Sequence, residues 1–414
     1  MAGIEIPAEL QKKIDEIGPV DLVVGVTGSV DADALRVKAA SLRGLTRDGE
    51  SPPPVKMVVA YAGAPGAEPV SVPTDGILLV AYPPPAAAGS LTFWVDVASA
   101  QRRVLELAGA WQARACMVVY NDLTALDTET LRLFTEPVLK GNIDLVMPVY
   151  PAGKYDGLIN KSLLAPLSRA LYGRRVRWPL PADFCVGANM LAKLTEKGVA
   201  HAQNEPQLLW PSNSVAMHGG QINQATVKAL HAAPVDGLDL NAVLTELAGS
   251  LFQEAEVCAA HWQRVRASQA VMRYGDPCSP VENAEPVDPR PMVESFVIGS
   301  RNLEEVWRLV LPPATMLELK RLARLEVEQF RMPDALWARI IYDFALAYRM
   351  RRISRTHLLG ALTPLYLGWV ASYTQEVGGA TAQEAERRVE QLARMFEEQK
   401  PYFVSRWRWP ERVS

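Results

Sequence analysis

Cys116-Met117-Val118-Val119-Tyr120 is a short apolar run that stops on Asn121-Asp122-Leu123, a polar turn carrying a carboxylate. A second run, Asp144 to Val149 (DLVMPV), leads into KYDGLINKSLLAPLSRALYGRRVRWPLPADF, residues 154–184. Continuous apolar runs of this length read as buried strands. An acidic residue at the carboxyl end of a buried strand stands where open α/β sheets place ligand chemistry. About 30 residues further on, Lys, Arg, Tyr and Asp cluster densely.

Working outward, strand and helix signals alternate. Asp21 to Val26 is a β-branched run ending in Thr27-Gly28-Ser29, read as a turn, and Asp31 to Leu45 has helical spacing. Val55 to Tyr61 and Gly76 to Tyr82 are further strands, and Ser99 to Ala113 is a helix. Such alternation predicts a mostly parallel sheet with helices on both faces. Residues 276–291 (DPCSPVENAEPVDPRP) read as a proline-rich linker. Beyond it the chain turns helical over Leu303–Val310, Pro313–Gln329, Pro333–Arg351, Arg355–Glu376 and Ala382–Gln399. The reading is an α/β domain over residues 1–280 and a C-terminal helical domain over 281–414. The aromatic and basic tail PYFVSRWRWP is expected to pack back onto that helical domain.

Composition narrows the function classes. The 414 residues are 49% hydrophobic and 21% charged with net charge −3, so no global field favours nucleic acid or an anionic membrane. Four cysteines (Cys116, Cys185, Cys258, Cys278) show no CxxC spacing, which argues against a zinc site or a disulfide framework. The N-terminus lacks an apolar signal core, and the most apolar run, residues 357–373, is short of a bilayer span. A cytoplasmic location is the resulting expectation.

Residues 115–123 and 154–184 resemble the GT-A nucleotide-sugar glycosyltransferases, in the branch near glucosyl-phosphoglycerate and mannosylglycerate synthases. Lys154, Tyr155, Asp156, Gly157, Asn160, Pro166, Arg169, Tyr172, Gly173, Arg174, Arg177, Pro179, Asp183 and Phe184 carry it, and residues 244–252, 261–275 and the helical part extend it. The resemblance implies a GT-A fold: a Rossmann-like, mostly parallel sheet flanked by helices, with a helical C-terminal extension. It implies a UDP- or GDP-sugar donor, transfer of a hexose to a small anionic acceptor or glycan, and Mg²⁺ or Mn²⁺ bridging the two phosphates. Asp122 and His231 match the metal ligands. Asp122, Lys154, Tyr155, Asp156, Arg169, Arg174 and Arg177 match the region that binds donor and anionic acceptor, where guanidinium groups fork onto oxygen pairs. A homo-oligomer through the helical domain is compatible with this picture.

Plainer readings stand beside these. Asp122 also suits a cap on the following turn, His231 a strand-end histidine, and residues 162–172 a surface helix with solvated arginines. The chain also departs from the family. Tyr120 and Asn121 stand where the metal motif begins, and the first strand ends in GVTGS. Ala87-Ala88-Gly89 replaces a phosphate-reaching Gly-Lys-Gly, and Leu208 replaces an acidic residue two before Trp210, with Glu205 nearby. One charge lost from where transition-state charge develops costs roughly 10²–10³ in rate. The sequence therefore carries two readings: a nucleotide-sugar glycosyltransferase, and an inactive relative that keeps the fold as a binding or scaffold protein.

Overall fold

The computed structural model describes residues 6–29, 35, 55–63, 77–84, 93–120, 128–196, 208–227, 239–276 and 287–409. The strands are β1 (Leu22–Ser29), β2 (Met57–Ala62), β3 (Ile77–Tyr82), β4 (Ala115–Val119), β5 (Leu145–Val149), β6 (Phe184–Gly187), β7 (Ile222–Thr226) and β8 (Met272–Tyr274). In chain order the helices begin α1 (Ala8–Ile17), α2 (Phe93–Ala110), α3 (Thr128–Leu139), α4 (Ala165–Tyr172), α5 (Ala188–Glu196), α6 (Pro211–Met217), α7 (Leu240–Val257) and α8 (Ala259–Trp262). They continue α9 (Arg290–Asn302), α10 (Glu304–Val310), α11 (Pro313–Leu322), α12 (Asp334–Met350), α13 (Arg355–Gly360), α14 (Thr363–Val377) and α15 (Ala382–Arg408).

Two compact units form. The first comprises residues 1–151, 176–235 and 271–278; the second comprises 152–175, 236–270 and 279–414. The division thus differs from a single boundary at residue 280, because two earlier segments pack with the C-terminal helices.

In the first unit all eight strands make one sheet, ordered β3-β2-β1-β4-β6-β5-β7-β8. Every pairing is parallel except the two made by β6, with β4 and with β5. Central strands of such a sheet are covered on both faces, which is why they read as unbroken apolar runs. Leu22, Val24 and Val26 share one face with Met117, Val119 and the α3 residues Leu131, Phe134 and Val138. The opposite face receives α2. A Cβ on Gly25 would lie 2.0 Å from a methyl of Val104, so the helix approaches the strand where no side chain intervenes. β1 continues through Thr27-Gly28-Ser29, expected as a turn, with a register shift against β2 between Val26 and Ser29.

The second unit is helical. Asn160–Leu164 is a π-helical turn that leads into α4. Wider π-turns leave backbone groups to be satisfied from outside, and here Trp337 Nε1 of α12 donates to Ser162 O at 2.9 Å. α4 ends at Gly173, left-handed at φ 70°, where a Cβ would crowd Val265. α9 and α14 pack closely because each offers a glycine: Gly299 faces Pro364 and Gly368 faces Phe296.

The helix expected over Pro313–Gln329 stops at Leu322, and that over Arg355–Glu376 is two helices split at Ala361-Leu362. α15 opens on a Thr381–Glu384 capping box and runs through Pro401 to Arg408, past the expected end at Gln399. The tail does pack back: Phe403 stacks on Trp262 at 4.8 Å between ring centroids, and Trp407 meets the same indole edge-on at 5.2 Å. Among the described residues no helix is long and apolar enough to cross a membrane.

Candidate functional site

The order of the sheet locates the site. β1 pairs with β2 on one side and β4 on the other, so successive connections leave in opposite directions and open a switch point at the carboxyl ends of β1 and β4. Side chains tie the backbone there. Thr27 Oγ1 donates to Val119 O at 3.3 Å, and Tyr82 Oη reaches across to Val26 O at 3.0 Å. Burial pushes the Tyr82 phenol upward, so it stays a neutral donor.

Asp183 organises the β4 side. It is fully buried one residue before β6; its Oδ1 accepts from Tyr120 N at 2.8 Å and its Oδ2 from Tyr150 Oη at 2.8 Å. The Tyr150 phenol is pushed well up by burial and then by the adjacent Asp183 charge, so it remains protonated and donating. Trp178 meets the Tyr150 ring edge-on at 5.5 Å. Gln101 of α2 donates to Pro181 O and Ala182 O, fixing the approach to Asp183. Arg177 N donates to Gln224 Oε1 at 2.8 Å, anchoring the Arg177-Trp178 segment to β7. This arrangement fixes the backbone groups at the carboxyl edge of the sheet. Asp183 is one of the residues that carry the resemblance, but neither it nor Tyr150 was assigned a role from the sequence; the signal was an acidic residue directly before a buried strand in PADF.

The expected metal ligands Asp122 and His231 lie outside the described residues, as do Asn121, Ala87-Ala88-Gly89 and Glu205. Among the described residues no group of three or more His, Cys, Asp or Glu side chains is arranged for a metal ion. Both Asp183 oxygens accept hydrogen bonds from within the fold. Leu208, where the resemblance expects an acid, is buried, and its carbonyl accepts from Arg102 at 3.5 Å.

Of the remaining expected site residues, Arg177 falls in the first unit and the others in the second. Lys154 Nζ caps the end of α14, donating to Gly378 O at 2.8 Å and Val377 O at 3.2 Å, and lies 5.2 Å from the Tyr155 ring. Asp156 accepts from Gly153 N at 2.7 Å. Arg174 donates to Gln269. Arg169, 5% exposed, binds Glu390 at 2.6 Å and Glu397 at 2.8 Å, both on α15. The surface helix with solvated arginines is therefore corrected: α4 is buried, and its arginine is ion-paired. The glutamates of α15 that hold it are seven residues apart and so lie on one helix face.

No protein-family model matches the chain, and no curated protein matches it. Solved structures do overlap with it. Glucosyl-3-phosphoglycerate synthase from Mycobacterium tuberculosis, in complex with Mg²⁺ and UDP, is 15% identical, with 59% of this chain and 83% of that chain covered at a TM-score of 0.35. The same synthase with Mn²⁺, UDP-glucose and phosphoglyceric acid is 14% identical over 63% and 86% at 0.33, and with phosphoglyceric acid alone 14% over 62% and 86% at 0.35.

Proposed function

We propose that this chain is a nucleotide-sugar-dependent glycosyltransferase that takes a UDP- or GDP-hexose at the β1/β4 switch point and transfers the hexose to a small anionic acceptor or a glycan. The observation that carries the reading is the fixed carboxyl edge of the sheet, where Asp183 holds Tyr120 N beside the β1 terminus. Ligands of open α/β sheets bind at this position. The motif resemblance over residues 154–184 supplies the substrate class. The tied carbonyls of Val26 and Val119 keep the edge from collapsing. Mg²⁺ or Mn²⁺, if used, would rest on Asp122 and His231 together with diphosphate oxygens, and would neutralise the leaving diphosphate.

A second reading, a nucleotide-binding or scaffold protein without turnover, is favoured by one observation. Lys154 and Arg169, which the family would direct at anions, spend their charges on α14 carbonyls and α15 glutamates.

Calorimetric titration of UDP, GDP and their hexose conjugates, with and without Mn²⁺, on wild type and Asp122→Ala tests both. Metal-dependent binding that vanishes in the variant, followed by release of the nucleoside diphosphate with an acceptor, is the expected result. Binding without release would select the scaffold reading. No nucleotide binding at all would overturn both.

A further inference from the structure

Arginine gathers where three helices of the second unit end. Segments 256–266, 349–355 and 405–409, at the carboxyl ends of α7, α12 and α15, hold eight arginines against one acid, Glu256. Side-chain contacts draw the three segments together. Arg349 Nη1 donates to Trp407 O at 2.9 Å, and its guanidinium lies 4.4 Å from the centroid of the Trp407 ring. Arg408 Nε donates to Gln263 Oε1 at 2.8 Å, next in the chain to Arg264. Arg351 and Arg355 both reach Glu256, at 3.7 and 2.7 Å.

Most of that charge stays uncancelled. Arg406 turns inward to the buried Asp343, but Arg264, Arg266, Arg349, Arg351 and Arg408 are exposed. The partners of Arg349 and Arg408 are neutral, so their bonds orient the charge without offsetting it. Among the described residues no carboxylate pairs with Arg264, Arg266, Arg349 or Arg408. Arginine at a helix carboxyl end also serves to balance the helix dipole, which amounts to roughly half a charge per helix. Three such ends offset one or two of these arginines and leave a strongly positive face on a chain whose net charge is −3. Two large apolar side chains stand in the same segments: Trp409, 56% exposed, follows Arg408, and Val257, 54% exposed, follows Glu256.

We infer that this face docks on an anionic phospholipid surface, with Arg264, Arg266, Arg349, Arg351 and Arg408 on lipid phosphates and Trp409 in the headgroup layer. Guanidinium forks match phosphate oxygens, and tryptophan favours the level of the headgroups. The exposed aliphatic Val257 selects lipid over nucleic acid, which would offer it only phosphates and base edges. Attraction to the lipid charge falls off within a Debye length, so it acts on this face and not on the chain as a whole.

The test is co-sedimentation of the full chain with vesicles of phosphatidylcholine alone and of phosphatidylcholine mixed with phosphatidylserine, at fixed ionic strength. Wild type is compared with Arg264→Gln/Arg266→Gln, with Trp409→Ala and with Arg321→Gln/Arg324→Gln. The last pair is exposed, lies at the end of α11 and makes the same change in charge away from the three segments. An arginine near an anionic surface strengthens binding about fivefold. The Arg264/Arg266 variant should therefore bind the mixed vesicles roughly twentyfold more weakly. Trp409→Ala should lose several-fold, the α11 variant should bind as wild type does, and neutral vesicles should bind none of the four. All substituted side chains are exposed, so each variant is expected to fold, which circular dichroism checks. No binding to the mixed vesicles, equal binding to neutral ones, or equal losses in the two arginine pairs would overturn the proposal. So would duplex DNA that binds where vesicles do not, weakened in the Arg264/Arg266 variant and indifferent to Trp409→Ala; that outcome would assign the face to nucleic acid.

Discussion

The Tyr150 hydroxyl donates to Asp183 at 2.8 Å while the other oxygen of the same carboxylate accepts from Tyr120 N. One buried acid thereby joins the ends of β4, β5 and β6. Tyr150→Phe leaves that acid short of a donor, and it should cost ~1–3 kcal/mol. Asp183→Ala, which frees both partners, should cost more. Chemical denaturation followed by circular dichroism measures the order, and a Tyr150→Phe protein as stable as wild type would contradict this account. If the switch point holds nucleotide, both variants should also weaken UDP binding.

The Arg169 pair predicts an asymmetric series. Arg169 is buried, whereas Glu390 and Glu397 are 40% and 23% exposed. Removing both glutamates strands a buried charge, a loss of ~3–5 kcal/mol for a fully buried case and less here. Glu390→Gln alone should change little, Glu397→Gln more, and the double variant most. Equal losses from the two single variants would show that exposure does not govern the pair.

Glycine substitutions separate close packing from backbone entropy. A Cβ on Gly299 would lie 2.5 Å from Pro364 and one on Gly368 would lie 2.9 Å from Phe296, so either alanine should destabilise by ~1–3 kcal/mol. Gly109, inside α2, has nothing within 4 Å of its Cβ position, and Gly109→Ala should stabilise by ~0.5–1 kcal/mol. Thermal unfolding of the three variants reads opposite signs.

Asp343 gives a pH dependence. Its folded value of about 7 exceeds the 3.8 of the free carboxyl, so between those limits the folded chain keeps a proton that the unfolded chain has released. The contribution is fully present below about pH 4, falls as pH rises at up to ~1.4 kcal/mol per unit, and is gone above about 7. Asp343→Asn should flatten that slope between pH 5 and 7. Parallel stability profiles for the two proteins would refute it.

Sequence legibility followed burial. The runs at Leu22, Met57, Ile77, Ala115 and Leu145 announce themselves because both faces of the sheet are covered. β7, Ile222-Asn223-Gln224-Ala225-Thr226, did not, since its polar side chains are spent inside the site: Gln224 on Arg177 N and Asn223 on Tyr274. α15 runs on through Pro401 because a proline forfeits one bond, and the burial of Phe403 and Trp407 outweighs that loss. Lys154 and Arg169 are conspicuous as charges in the sequence. Their partners lie more than 200 residues away, and no local pattern points to them.

The bond from Trp337 to Ser162 has a kinetic consequence. It spans 175 residues, and the Arg169–Glu397 pair spans 228. The helical unit cannot close until segments this far apart in the chain meet, and contacts so distant in sequence slow the search for the native state. A fragment starting at residue 281 would carry Trp337, Glu390 and Glu397 away from Ser162 and Arg169, and Phe403 and Trp407 away from Trp262. Such a fragment should emerge from synthesis as an aggregation-prone set of helices rather than a domain.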